Sequence, residues 1–251
     1  MVKNRKKPTL RLAVAILMLL VFSGFYFLLA PYVHEDVGEG DTPVNATVPA
    51  TDAVSQTQPP AVDKSSEYLI LVNKTHGLGK DYEPGDLKNV KYNVSSRESE
   101  YQKLRKTAAA AFNDLAKAAK KQGHTIKLTS GFRPYAYQKV LYEKYVGKDG
   151  KYAAEQYSAK PGYSEHQSGL CADVSSPSVN YNLVQAYGNT AEGEWLAKNA
   201  HKYGFIIRYL KGKEDITGYE YEPWHIRYVG KDSAKEIYEQ KITLEEYLGE
   251  V

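Results

Sequence analysis

A nineteen-residue uncharged run, residues 12–30, follows five basic residues and no acidic ones: Lys3, Arg5, Lys6, Lys7 and Arg11. At ~1.5 Å per helical residue such a run spans roughly 28 Å, near the ~30 Å of a bilayer's hydrocarbon core, and a basic flank stays on the cytoplasmic side. The expectation is a single-pass anchor over 12–30, a cytoplasmic flank over 1–11, and everything after Ala30 outside the cell. A cleaved signal peptide is the rival reading. Its apolar part is usually only ~7–15 residues and ends in a small-x-small site. The nearest match here, Leu28-Leu29-Ala30, puts a bulky Leu at the first small position, and no Cys follows the run to accept a lipid. An uncleaved anchor is favoured, and both readings export the remainder.

Export limits how that remainder can be held together. Cys171 is the single cysteine, so no intramolecular disulfide is available, and a free thiol is safest in a core. The 251 residues, 42% of them hydrophobic, suffice for one globular core plus appendages. The five basic residues of the flank, taken from the net charge of +3, leave about −2 beyond the anchor, which argues against a nucleic-acid partner. Residues 31–66 are rich in Asp, Glu, Thr, Val, Pro, Gln and Ala, with Tyr32 as their one aromatic residue. Such a composition cannot offset its own ordering entropy and reads as a flexible extracellular stalk. A folded domain is expected over 67–251.

Within that domain, Tyr68-Leu69-Ile70-Leu71-Val72 is a β-prone run, and a turn-rich segment follows to about Asp86. Ser95 and Glu98 form a possible capping box. They open a helix over 98–122 with Leu104, Ala108, Ala111, Phe112, Leu115 and Ala119 on one stripe and Gly123 at the stop position. Residues 125–129 alternate like a strand and run into Ser130-Gly131-Phe132-Arg133. Pro134 then suits the first turn of a helix to about Val146. An extended 170–174, a helix over 192–202 closed near Gly204, strands at 205–209 and 224–229, and terminal helices complete the pattern. Helices and strands mingle without regular βαβ alternation, which supports an α+β fold with a small antiparallel sheet flanked by helices.

Three segments carry possible chemistry. In Ser164-Glu165-His166-Gln167-Ser168-Gly169-Leu170-Cys171-Ala172-Asp173 an imidazole and a carboxylate lie seven apart, with Gly169 free to turn between them. In Glu222-Pro223-Trp224-His225 a carboxylate and an imidazole flank a proline that forbids an ordinary helix interior. Two His and one carboxylate are a usual catalytic zinc set, leaving a position for a water whose pKa falls from ~15.7 toward ~7. That arithmetic makes His166, Asp173 and His225 the ligands and leaves Glu222 as general base. Arg133, in the third segment, offers a planar fork for a carboxylate or a charged transition-state oxygen. Each motif alone also has a plain structural reading, since a lone His is more often a satisfied structural residue than a ligand. That plain reading holds for His34, His76, His124 and His201. Three glycosylation-like triplets, at Asn45, Asn73 and Asn93, are short enough to arise by chance and carry no argument.

Taken in order, these segments resemble the VanY-type zinc D,D- and L,D-carboxypeptidases of bacterial cell walls. The resemblance runs over about residues 69–230. It includes Leu71-Val72-Asn73-Lys74, Tyr82-Glu83-Pro84-Gly85-Asp86-Leu87, Ser130-Gly131-Phe132-Arg133 with Gln138, Ser164-Glu165-His166 and Asn199-Ala200-His201-Lys202-Tyr203-Gly204-Phe205. Its most specific part is Ile216-Thr217-Gly218-Tyr219-Glu220-Tyr221-Glu222-Pro223-Trp224-His225. The resemblance implies Zn2+ on His166, Asp173 and His225, Glu222 as base, and Arg133 as the substrate-binding cation. It also implies Gln138 and Ser164 near the substrate, although a surface-helix Gln and a loop hydroxyl are equally fair readings of those two. The implied fold is that of the D-Ala-D-Ala dipeptidases and the hedgehog signalling domain.

The implied substrate is a peptidoglycan stem peptide ending in D-Ala, reached across the stalk by a monomeric domain. A cross-bridge endopeptidase and a non-catalytic, zinc-stapled wall-binding module are the alternatives. One position departs from the family, since relatives commonly carry a small residue such as Ala where this chain has Cys171. In an extended strand positions 171 and 173 share a face, so a thiolate there could reach a metal, while Cys is also a good small buried residue.

Overall fold

The computed structural model describes residues 65–94 and 99–251, and these belong to one compact unit. The anchor expected over 12–30, most of the stalk, and the capping box at Ser95 and Glu98 lie outside the described residues. Among the described residues no helix is long and apolar enough to cross a membrane.

In chain order the named elements are β1 (Leu87–Asn89), β2 (Lys103–Arg105), α1 (Lys106–Lys121), β3 (Lys127–Ser130), α2 (Tyr135–Asp149) and α3 (Lys151–Tyr157). After them come β4 (Cys171–Ser175), α4 (Ala191–Asn199), β5 (Phe205–Tyr209), α5 (Glu214–Thr217), β6 (Glu222–Tyr228), α6 (Lys231–Gln240) and α7 (Leu244–Leu248). The strands form two antiparallel sheets, a β1-β2 ribbon and a four-stranded sheet in the order β3-β4-β6-β5. This is the mixed fold with small antiparallel sheets that the sequence suggests.

Two expected elements differ. The run 68–72 is not a strand but begins with a 3-10 turn, Glu67–Leu69. Its carbonyls are claimed by a side chain, because Arg227 Nη2 donates to Tyr68 O at 3.1 Å and to Ile70 O at 2.7 Å. The long helix is shorter than its apolar stripe suggests. Leu104 is buried, yet it sits on β2 opposite Lys88; just before β2 lies a 3-10 turn, Ser99–Gln102, and α-helical geometry starts at Lys106.

From there Ala108, Phe112, Leu115 and Ala119, spaced three or four apart, form one buried face of α1. They pack with Leu128, Ala172, Val174, Phe205 and Ile226 into the main core. Fully burying side chains such as Phe112 and Leu115 stabilises by roughly 1.5–3 kcal/mol each. Lys120 and Lys121 in the last turn complement the helix dipole.

The period-2 alternation of β4 and β6 separates core from chemistry. Ala172 and Val174 on β4, and Ile226 and Tyr228 on β6, belong to the main core. Cys171, Asp173, His225 and Arg227 therefore occupy the other face of the sheet. Asp173 pairs with His225 in register, and Cys171 with Arg227. Both faces are covered, so every residue of β4 is buried.

Candidate active site

Two irregularities in the sheet aim the site residues. Between the pairs Ile207↔Ile226 and Tyr209↔Glu222, β5 advances two residues while β6 advances four. The two surplus residues of β6 fall between Glu222 and Ile226, a bulge that includes Pro223, which has no N–H for a ladder. In a regular strand residues 222 and 225 would face opposite sides. Here Glu222 Oε2 lies 3.7 Å from His225 Nδ1. The second irregularity is in β3, where Leu128 pairs with Val174 but Ser130 pairs with Asp173, so β3 carries one extra residue. Thr129 Oγ1 donates to Asp173 O at 2.9 Å across this bulge, and the chain then turns through Gly131 toward Arg133.

His166 sits on the 3-10 turn Glu165–Ser168, which Gly169 ends in the left-handed region at φ 68°. Only there does the backbone reverse sharply enough to send Leu170 and Cys171 into the sheet. Each imidazole is held by its outer nitrogen and presents the other inward. His166 Nδ1 lies 2.6 Å from Gly131 O, and its Nε2 lies 3.2 Å from Asp173 Oδ2. His225 Nε2 lies 3.2 Å from Glu165 Oε2, and its Nδ1 lies 3.0 Å from Asp173 Oδ1. Orientation of this kind, by a carbonyl or carboxylate behind the ring, is what metal-binding histidines need.

The electrostatics are consistent with that use. Burial disfavours charge on Asp173, but the hydrogen-bonded imidazoles outweigh it and hold the carboxylate well below its usual range. Burial and the Arg133 charge push His166 down, yet Cys171 and Asp173 lift it to about 9. Burial also opposes charge on His225, and Cys171, Asp173 and Glu165 raise it well above its ordinary value. Glu222 moves the other way from Asp173. Burial pushes it up, Asp173 and Cys171 add repulsion, His225 and His166 oppose, and it settles at about 7. Two buried imidazoles that both favour their charged form mark a pocket suited to positive charge. Two imidazole nitrogens and a carboxylate fit a borderline-soft dication such as zinc. The ligand atoms of His166, Cys171 and His225 also lie within 4.8 Å of one another.

A cleft of about 360 Å³ opens over this cluster and brings together all seven residues expected at the site: Arg133, Gln138, Ser164, His166, Asp173, Glu222 and His225. Arg133 Nη1 donates to Gln138 Oε1 at 2.7 Å and Nη2 to Ser130 Oγ at 3.1 Å, and its guanidinium stands 3.7 Å from Asp173. Two of its five donors are thereby taken. Gln138 is not a surface residue. It is buried, and its Nε2 donates to Ala159 O at 2.7 Å, so it fixes Arg133 against the α3 end. Ser164 is buried at the cleft wall. Tyr209, Tyr219 and Trp224 add aromatic surface.

Sequence reasoning missed Glu165. Its Oε1 accepts from Arg208 Nε at 2.7 Å and from Arg227 Nη1 at 2.6 Å, while Oε2 faces His225. The two arginines hold its carboxyl far below the usual range despite complete burial. The signal available was that Arg208 and Arg227 each sit between an isoleucine and a tyrosine, in Ile207-Arg208-Tyr209 and Ile226-Arg227-Tyr228.

Gly131 offers a direct test of how His166 is held. A Cβ there would stand 2.3 Å from Lys103 O, so Gly131→Ala must shift the backbone whose carbonyl meets His166. Isothermal titration with zinc is expected to show affinity reduced ~10–100-fold, the range usual for a lost supporting contact. Unchanged affinity would show that the carbonyl does not orient the ring.

A family model described as VanY: D-alanyl-D-alanine carboxypeptidase matches residues 101–231. The putative carboxypeptidase YodJ of Bacillus subtilis (strain 168) is 47% identical over 191 residues, covering 76% of this chain and 70% of that protein. Among solved structures, the LdcB LD-carboxypeptidase aligns with a TM-score of 0.69 at 49% identity, over 72% of this chain and 85% of that one. A mutant of the D,D-pentapeptidase VanY from a VanB-type vancomycin resistance cassette, in complex with Zn(II), gives a TM-score of 0.62 at 32% identity. That match covers 73% of this chain and 99% of the other. Relatives named for both D,D and L,D activity thus share this fold and most of this length, and the chain belongs to the VanY family of D-alanyl-D-alanine carboxypeptidases.

Proposed function

We propose that this chain is a zinc-dependent carboxypeptidase that removes the C-terminal D-alanine from peptidoglycan stem peptides. The observation that carries the reading is the cleft that gathers two imidazoles, Asp173, a carboxyl raised to about 7 at Glu222, and the cation Arg133. Environments that push two neighbouring carboxyls apart assign them different roles. Asp173, held as carboxylate, would bind the metal with His166 and His225. Zinc bound there supplies a water acidified enough to act near neutral pH. Glu222 would accept a proton from the attacking water at its carboxylate and return it to the leaving amine. Arg133, pre-set by Gln138 and Ser130, receives the substrate's terminal carboxylate with the donors it has left, which makes removal of a single terminal residue the favoured outcome.

LdcB, the LD-carboxypeptidase, exceeds VanY in both identity and TM-score. We therefore place the tetrapeptide, cut at its L,D bond, first among the substrates, with the pentapeptide second. The apolar run at 12–30 and its basic flank support a membrane-anchored enzyme whose catalytic domain faces the wall.

Mass spectrometry of tetrapeptide and pentapeptide stems incubated with the protein tests this reading. Loss of one alanine, stopped by a chelator and restored by zinc, with no reaction on a substrate amidated at its C-terminus, is the expected result. Internal cleavage would instead establish an endopeptidase. A stoichiometric metal with no cleavage would leave a wall-binding module.

A further inference from the structure

The zinc reading uses three donors, but a fourth side chain faces the same point. Cys171 lies on β4 two residues before Asp173, so the pleat puts the two on one face of the sheet. Its side chain is fully buried, beneath the imidazoles and away from the cleft, whose lining includes His166, Asp173, Glu222 and His225 but not Cys171. The sulfur is not isolated. It forms a cluster with one ring nitrogen from each of His166 and His225, all within 4.8 Å of one another.

Donors that share a tetrahedral ion at usual zinc bond lengths stand roughly 3.3–3.8 Å apart, so movements of about 1 Å suffice to bring these three onto one metal. The outer nitrogens are fixed behind the rings by Gly131 and Glu165, so the inner ones keep their direction while such an adjustment occurs. The two donor sets, His166-Asp173-His225 and His166-Cys171-His225, share both imidazoles and differ only by alternate positions of one strand.

We infer that Cys171 is a further metal ligand of this centre, bonding the ion held by His166, Asp173 and His225 from the buried side of the site. This inference rests on the metal-dependent reading above. On binding, the thiol loses its proton to solvent and the sulfur lone pair forms the bond to the metal, with no change of oxidation state. A thiolate makes the donor set softer than the two imidazoles and carboxylate alone, so thiophilic ions such as Cd2+ gain more than zinc does. With Cys171 the ion would have four protein donors, so water would enter as a fifth ligand, a coordination number that catalytic zinc sites can reach.

The test is optical, and the full chain is titrated with Co2+. Bound cobalt gives visible ligand-field bands whatever its donors, and thiolate coordination alone adds an intense near-ultraviolet charge-transfer band. Both features are expected for the natural chain. In Cys171→Ala and Cys171→Ser the near-ultraviolet band disappears while the visible bands remain. The Ala variant is also expected to lose ~10-fold or more in Cd2+ affinity, with a smaller loss for Zn2+. Visible bands without the charge-transfer band in the natural chain overturn the role of Cys171 and leave the metal centre standing. Failure of the natural chain to bind cobalt, zinc or cadmium overturns the metal centre itself.

Discussion

Glu222→Gln is expected to lower kcat/KM by ~10²–10⁴-fold, the usual contribution of a positioned general base, while zinc stays bound with unchanged stoichiometry. The amide keeps the shape of the carboxylate but accepts no proton from water. Its Oε2 stands 3.7 Å from His225 Nδ1, too far for a hydrogen bond that would orient the ring, so the imidazole keeps its geometry. Burial holds the Glu222 carboxyl at about 7. A dication beside it favours the carboxylate and lowers that value, so the acid limb of kcat/KM in the natural enzyme lies at or below about pH 7. Activity falls as pH drops through it, because the protonated acid cannot take a proton from water. The residual activity of the variant should lack this limb. Steady-state kinetics from pH 5 to 9, with metal content measured alongside, checks both parts. Full activity with Gln at this position would remove Glu222 from the mechanism.

The residues gathered at the cleft could be named from the sequence because their chemistry is local. Imidazoles and carboxylates in short segments with a Gly or a Pro between them already carry the donor types that zinc takes. The α1 stripe marked which face of that helix is buried, and the pleat of an extended 170–174 put positions 171 and 173 on one face, for the same reason of short-range periodicity. What the sequence did not reveal depends on long-range partners. Residues 68–72 have the composition of a strand, yet Arg227, about 160 positions away, takes their carbonyls. Leu104 fits the helical stripe and is buried as expected, but pairing with Lys88 keeps it extended. Gln138 is spaced like a surface residue of α2 and is instead buried against Arg133 and Ala159. The bulge at Pro223 could be suspected from the proline, but not that it would bring Glu222 and His225 to one side.

Arg208→Met is expected to destabilise the domain by roughly 3–5 kcal/mol, because it strips a buried network of its central cation. Arg208 has no solvent exposure, and it spends its fork on Glu245, with Nη1 to Oε2 at 2.8 Å and Nη2 to Oε1 at 2.6 Å, and its Nε on Glu165. Without it, Glu165 keeps Arg227 and His225. Among the described residues Glu245 then keeps only Asn73 Nδ2, at 3.2 Å, as a side-chain donor, so a buried carboxylate is left nearly uncompensated. The double variant Arg208→Met with Glu245→Met should recover most of the loss, since an apolar pair of similar volume avoids that desolvation cost. Both carboxyls lie below their ordinary range, Glu165 despite burial through Arg208 and Arg227, and Glu245 despite burial through Arg208. Their contribution is therefore fully present above the ordinary carboxylate pKa of ~4.3 and is lost as pH falls toward the folded values. Urea unfolding of the natural chain, Arg208→Met and the double variant at pH 7, repeated from about pH 5 toward about pH 2, measures all of this. A single variant within about 1 kcal/mol of the natural chain would show that the network does not hold α7 against the residues behind His225. The same data would then place the support of His225 on Glu165 and Arg227 alone.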